Sequence, residues 1–235
     1  MSSVAIITAR GGSKRIPRKN IRQFLGRPIL AYTVEAAMKA GCFDEVMVST
    51  DDEQIAETAR RLGAEVPFMR SGRASDDHAS TADAVREVLE CYADAGQSFD
   101  FACCIYPAAP FNIPERLLSG YRLLSGSTAD SVVPVVRFGY PIQRALRIEH
   151  GRLAMIMPEN LTARSQDLEP AYHDAGQFYW LRVANFLRSG RLFAEHTLPL
   201  ELPESEAQDI DTEEDWKVAE LKYRLLQSSR GASTT

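Results

Sequence analysis

Val4-Ala5-Ile6-Ile7-Thr8-Ala9-Arg10-Gly11-Gly12-Ser13-Lys14-Arg15-Ile16-Pro17-Arg18-Lys19-Asn20 decides the fold. An apolar run of strand length breaks into a Gly-Gly turn that carries Arg10, Lys14, Arg15, Arg18 and Lys19. Gly11 and Gly12 lack a Cβ, so the backbone is free to take positive φ and bring its N–H groups close to an anion. The cations add charge that amides cannot supply. A strand feeding an anion-binding loop is the usual opening of a nucleotide-handling α/β domain. The spacing matches neither a P-loop nor a Gly-x-Gly-x-x-Gly dinucleotide fingerprint, and a solvated basic turn is the plain alternative.

The rest of the chain narrows that choice. Its 235 residues suit one large domain with a full core, and 45% hydrophobic with 25% charged residues is ordinary for a soluble globular protein. A formal charge of -5 makes the basic loop a local island in an acidic chain. That pattern suits a small polyanion and argues against nucleic acid as a partner. No run of 18 apolar residues and no signal peptide is present, which points away from the membrane and towards the cytoplasm. Cys42, Cys91, Cys103 and Cys104 have neither Cys-x-x-Cys spacing nor companion histidines, and read as reduced thiols.

Downstream, apolar spacing predicts a helix over 28–40, a buried strand at 45–50 ending in Asp51-Asp52, and a helix over 53–62. A short strand is expected at 65–69, a helix up to about Tyr92, a strand at 99–106 and a helix over 114–124. Alternation of this kind predicts a mostly parallel, Rossmann-like sheet flanked by helices, with ligands gathered at the carboxyl ends of its strands. Both the basic loop and Asp51 fall at such ends. The middle of the chain has weaker periodicity, and a β-rich excursion leaving the main sheet is expected at about 137–170. A plain hairpin insertion on a monomer is the alternative there.

Ala9-Arg10-Gly11-Gly12-Ser13-Lys14, followed by Lys19-Asn20, resembles the signature loop of the CMP-sialic acid synthetase family, cytidylyltransferases that activate nine-carbon keto-sugar acids. That resemblance implies a nucleotide-diphospho-sugar transferase type of fold, and a loop that binds the CTP triphosphate. It also implies that Arg70, Asp77, Ala79, Ser80 and Thr81 form the cytosine and ribose pocket. A pyrimidine pocket needs short side chains that enclose a small ring. Residues 77–81 equally suit a helix N-cap, and the two roles are compatible.

The resemblance extends to the second substrate. Tyr106-Pro107-Ala108-Ala109-Pro110 stands where the family has Leu-Gln-Pro-Thr-Ser-Pro, so an amide and two hydroxyls are missing. A site built for those hydrogen bonds discriminates strongly, so their loss implies a less hydroxylated or differently substituted acid. Arg164, Gln166 and Tyr172 occupy the places that hold the sugar carboxylate and its neighbours, a task suited to the planar fork of Arg. The run Tyr172-His173-Asp174-Ala175-Gly176-Gln177-Phe178-Tyr179-Trp180, with Pro141-Ile142-Gln143-Arg144-Ala145-Leu146, is similar to the pseudaminic acid cytidylyltransferases. Their sugar is a diacetamido-tetradeoxy nonulosonic acid. Gln143, Arg144, His173 and Gln177 join the sugar set on this basis, with Tyr106 and Phe178 placed against its methyl groups. His173 alone reads as readily as a turn-stabilising residue. By the same resemblance, 137–170 is a dimerisation arm that reaches over the active site of a homodimeric partner.

Asp209-Ile210-Asp211 is the last motif. In an extended segment its two carboxylates share a side and offer hard oxygen ligands to Mg²⁺, leaving positions open for phosphate and water. Asp211 or Thr212 capping the helix that starts at Glu213, with Asp215 closing a capping box, is the structural alternative. In the family this Asp-x-Asp holds the catalytic Mg²⁺ (or Mn²⁺). The expected organisation is one nucleotidyltransferase domain over 1–227 and a disordered tail over 228–235. The expected reaction joins CMP from CTP to a nonulosonic acid with release of pyrophosphate, with Arg10, Lys14, Lys19, Asp209 and Asp211 as catalytic groups. CMP-N-acetylneuraminate, CMP-legionaminate or CMP-Kdo synthesis, and a non-catalytic nucleotide-binding protein, are the alternatives.

Overall fold

Alternate residues of the first strand enter different cores. Ala5 and Ile7 of β1 (Ser3–Thr8) pack into one cluster, while Val4 and Ile6 pack into another. A strand buried on both sides needs helices on both faces of its sheet, which is why its sequence is continuously apolar. The computed structural model describes residues 1–75 and 79–232, with side chains as far as Ser228.

A small hairpin, β2 (Gln23–Phe24) and β3 (Arg27–Pro28), follows β1 and leads into α1 (Ile29–Lys39). Then come β4 (Glu45–Ser49), α2 (Glu53–Arg61), α3 (Gly72–Ser75), α4 (Thr81–Asp94), β5 (Phe101–Ile105) and α5 (Pro114–Ser125). The second half holds β6 (Ser131–Arg137), β7 (Leu146–Glu149), β8 (Arg152–Met155), β9 (Tyr172–Asp174) and β10 (Phe178–Arg182). It closes with α6 (Val183–Ser189), β11 (Thr197–Leu202) and α7 (Glu213–Ala232).

The central sheet runs β11-β6-β10-β5-β1-β4, with β9 also paired to β6. β4, β1 and β5 are parallel, and β11 is parallel to β6, whereas β10 runs against both β5 and β6 and β9 runs against β6. Helices α1, α2 and α5 cover the face holding Ala5 and Ile7, and α4 and α6 cover the other. Cys103 and Cys104, neighbours on β5, point to opposite faces; all four cysteines are free thiols.

β9 and β10 lie end to end along β6, the first against Val135 to Arg137 and the second against Ser131 and Val132. The break between them contains Gly176 at φ 63. Past Arg137, which still pairs with Tyr172, the chain leaves the sheet, and among the described residues its hairpin β7–β8 pairs with no other strand. Ile148 and Leu153 sit opposite each other on that hairpin and are 76% and 69% exposed. Among the described residues, no helix is long and apolar enough to cross a membrane.

A satellite core joins the two ends of the chain. Phe24 and Tyr32 meet Trp216 and Tyr223 of α7 edge to face, with ring centroids 5.1 to 5.7 Å apart. Arg22 lies over the Trp216 ring at 4.6 Å and pairs with Glu213 at 2.5 and 2.9 Å.

Three expectations are corrected. Residues 65–69 form no strand; Glu65 makes a single bridge to Met47, and Pro67 lacks the amide that would continue a ladder. Helix α7 continues through Ser228 to Ala232, beyond the ordered end expected at 227, since Ser and Gly lower helix propensity without ending a docked helix. Ser233 to Thr235 lie outside the described residues. Neither Gly11 nor Gly12 takes positive φ; in this loop that conformation falls on Arg18, at φ 58.

Candidate active site

The carboxyl ends of β1 and β5 open onto one cleft of about 650 Å³. Its walls include Arg10, Ser13, Lys14, Lys19 and Asn20 from the first loop, and Arg70, Ala79, Ser80 and Thr81 from the segment entering α4. Tyr106 after β5 and Asp209 and Asp211 before α7 complete it. Residues nearly two hundred positions apart thus face a single volume, and Lys19 Nζ donates to Ile210 O at 2.7 Å across that separation.

The loop is held from behind. Gly11 N–H donates to Asp51 Oδ1 at 2.8 Å, and a Cβ on Gly11 would stand 2.9 Å from both Cβ and Oδ2 of Asp52. This glycine is required by close approach, not by its φ. Asp52 pairs with Arg18 at 2.6 Å and caps α2 by accepting from Ile55 N–H at 3.0 Å. Asn20 donates to Arg10 O at 2.9 Å, closing the loop, while its Oδ1 is buried and unpartnered.

Arg70 is buried, and burial lowers its pKa from the usual guanidinium value. It donates to Ser49 O at 2.7 Å and Ser49 Oγ at 3.0 Å, so β4 fixes its direction. Ser80 caps α4 in a reciprocal box with Asp83 and also lines the cleft. Thr212 and Asp215 form the capping box of α7: Thr212 N–H donates to Asp215 Oδ2 at 2.7 Å, and Asp215 N–H to Thr212 Oγ1 at 3.2 Å. That leaves Asp211 to the cleft.

Ile210 is buried in the satellite core, and Asp209, Ile210 and Asp211 all border the cleft. Burial first, and the Asp211 charge second, push the Asp209 carboxyl above its usual pKa. Arg15 and Lys19, 2.7 and 3.7 Å from Asp211 Oδ1, offset part of the charge of these two carboxylates. Among the described residues, no three His, Cys, Asp or Glu side chains cluster as metal ligands. Two protein oxygens with the rest from phosphate and water is how Mg²⁺ is commonly bound, so the residues fit that ion.

Not every expected residue lines the cleft. Ala9 is in the core, with only its backbone engaged, donating to Ser49 O at 2.9 Å. Gly11 and Gly12 do not line the cleft, and Asp77 lies outside the described residues. Of the sugar set, Tyr106 alone lines it. Phe178 is fully buried: Gly120 of α5 leaves the space its ring and Trp180 fill, so it packs the core and is no sugar contact. Gln177 is also buried, donating to Glu206 O at 2.5 Å.

Gln143, Arg144, Arg164, Gln166, Tyr172 and His173 lie on the excursion or the adjoining β9, outside the cleft of their own chain. Gln143 donates to Glu169 O at 2.9 Å within the excursion, and Gln166 lines a separate hollow of about 540 Å³. His173, within β9, has Nδ1 2.9 Å from Asp174 O, and its ring packs on Phe138.

Sequence reasoning passed over Gly176, and it counted Arg15 among the loop's cations without the acid that Arg15 meets. Gly176 reaches the cleft because β9 breaks from β10, a feature with no local signal beyond the glycine. Arg15 pairs with Asp211 at 2.7 Å, a contact that spans the chain.

A family model described as Cytidylyltransferase matches residues 4–133. The chain is 40% identical over 230 residues to a pseudaminic acid cytidylyltransferase of Campylobacter jejuni, covering 97% of this chain and 99% of that one. It is 33% identical over 237 residues to the CMP-N,N'-diacetyllegionaminic acid synthase of Legionella pneumophila, covering 97% and 99%. The structure of a CMP:2-keto-3-deoxy-manno-octonic acid synthetase complexed with CTP matches at TM-score 0.71 and 15% identity, covering 97% of this chain and 100% of that one, a likeness of fold. Matches of this length and identity, on a sheet whose strand ends meet at one basic and acidic cleft, mean that the chain belongs to the cytidylyltransferase family, a family of nucleotidyltransferases.

Proposed function

We propose that this chain transfers CMP from CTP to pseudaminic acid, releasing pyrophosphate. The observation that carries the reading is the single cleft holding Arg10, Lys14 and Lys19 together with Asp209 and Asp211. The 40% identity to a pseudaminic acid cytidylyltransferase supports that sugar, as do Ala108 and Ala109 in the loop after β5.

In this reading the anomeric hydroxyl of the sugar attacks the α-phosphorus and pyrophosphate departs on the opposite side. Arg10, Lys14 and Lys19 offset triphosphate charge, and Arg70 with Ser80 and Thr81 encloses the cytosine and ribose. Asp209 and Asp211 would hold Mg²⁺, which, when bound, supplies charge stabilisation to the phosphate oxygens. The protein's work is orientation and charge, so no nucleophilic side chain is required.

The exposed hairpin β7–β8 supports a homodimer, in which Arg164 and Gln166 of one chain serve the cleft of the other. Four free thiols support a reducing, cytoplasmic setting. The test is pyrophosphate release from CTP and Mg²⁺ with a panel of pseudaminic, legionaminic, N-acetylneuraminic and Kdo acids. Preference for pseudaminic acid is expected, and equal or better turnover of another acid overturns the sugar assignment.

A further inference from the structure

Arg15 lines the cleft between Lys14 and Ile16, yet its guanidinium is turned to an acid: Nη2 lies 2.7 Å from Asp211 Oδ1. Lys19 Nζ approaches the same oxygen at 3.7 Å. These two cations differ in how they are held. Lys19 is anchored by its bond to Ile210 O and is 23% exposed, whereas the Arg15 side chain is 68% exposed. An exposed ion pair of this kind contributes little net stability, so releasing it costs little. Arg15 is also the residue type that grips phosphate through two parallel hydrogen bonds, and it stands within a phosphate-facing loop.

We propose that Arg15 is a resident counter-ion for the metal position, holding Asp211 until the metal–nucleotide complex enters and then passing to the triphosphate. A guanidinium and a divalent cation repel when they share one carboxylate oxygen, so a bare metal ion must displace Arg15 with nothing to receive it. A metal ion arriving on CTP brings phosphate oxygens that accept the displaced charge. Metal uptake is thereby tied to nucleotide uptake, and the acidic pair does not fill with free cation beforehand. Arg15 acts here as a positioning residue. The proposal rests on the reading of Asp209 and Asp211 as metal ligands.

Manganese binding, followed by loss of the free Mn²⁺ electron paramagnetic resonance signal, separates the two ideas. The full-length protein, Arg15→Gln and Asp211→Asn are titrated with Mn²⁺ alone and again with α,β-methylene-CTP present. Without nucleotide, Arg15→Gln should take up Mn²⁺ about tenfold more tightly than the parent, since one repelling charge is gone. With the analogue that advantage should disappear, and Asp211→Asn should lose uptake in both conditions. Equal Mn²⁺ affinity of Arg15→Gln and the parent without nucleotide, with Asp211→Asn still defective, overturns the counter-ion role and leaves the metal reading standing. An advantage that persists unchanged with the analogue also overturns the hand-over. Unaltered uptake by Asp211→Asn removes the metal reading and the proposal together.

Discussion

The Gly11 amide donates to the Asp51 carboxylate across 2.8 Å, tying the turn after β1 to the turn after β4. The basic loop is therefore shaped by two acids behind it as well as by its own glycines. Asp52 cannot yield to a side chain at Gly11, because Arg18 and the first turn of α2 both hold it. Gly11→Ala should raise the KM for CTP between about tenfold and a hundredfold through misplacement of the loop. Steady-state kinetics with CTP varied is the measurement, and an unchanged KM would show that the loop adapts.

Asp209 couples stability to pH in a direction opposite to most carboxylates. Its folded-state pKa is raised by burial and by Asp211, so between its ordinary and raised values the folded chain binds more protons than the unfolded one. The metal-free protein therefore loses stability as pH rises through that window, and the penalty persists above it. Asp209→Asn should raise the metal-free Tm at pH 8, and the gain should fade as pH falls below the ordinary carboxyl value of 3.8, where the group becomes protonated in both states. Turnover should fall at least about a hundredfold. Thermal unfolding in EDTA across that range checks it; a lower Tm at pH 8 would contradict the sign.

Tyr179 Oη donates to Asp174 Oδ2, and its ring meets that of Tyr106 edge to face with centroids 5.5 Å apart. Burial raises the pKa of both phenols, that of Tyr179 well above its usual range, so they remain neutral donors across physiological pH. Tyr179→Phe should cost about 1–2 kcal/mol of stability by leaving partners unsatisfied. It should also raise the KM for the sugar acid several-fold, with the KM for CTP little changed. Equal effects on both substrates would place the network under the nucleotide instead.

Ile148 and Leu153 form an exposed cross-strand apolar pair on the hairpin β7–β8. If the hairpin docks on a second copy, Leu153→Glu should shift the protein from dimer to monomer in light scattering and abolish turnover while leaving nucleotide binding intact. A monomeric parent protein of full activity would remove the arm from the mechanism.

The basic loop, the alternation of strands and helices, and Asp-x-Asp were legible because each is written in consecutive residues with fixed spacing. The capping alternatives were legible in type, and geometry then divided the labour, giving the cap to Thr212 and leaving Asp211 to the cleft. Phe178 was misplaced because its surroundings are set by Gly120, 58 positions earlier on α5, and no local pattern records that contact. The pairing of Arg15 with Asp211 escaped for the same reason. Residues 65–69 have strand composition, but Pro67 and a single bridge to Met47 leave them as a flanking segment.

The aromatic contacts between Phe24, Tyr32, Trp216 and Tyr223 impose an order in time. While the chain is still being made, the basic loop emerges first, but the acids that share its cleft are held by rings not yet translated. A ribosome-bound nascent chain arrested before Trp216 should therefore retain no tightly bound CTP, and catalytic competence should arrive in one step as α7 leaves the exit tunnel and docks.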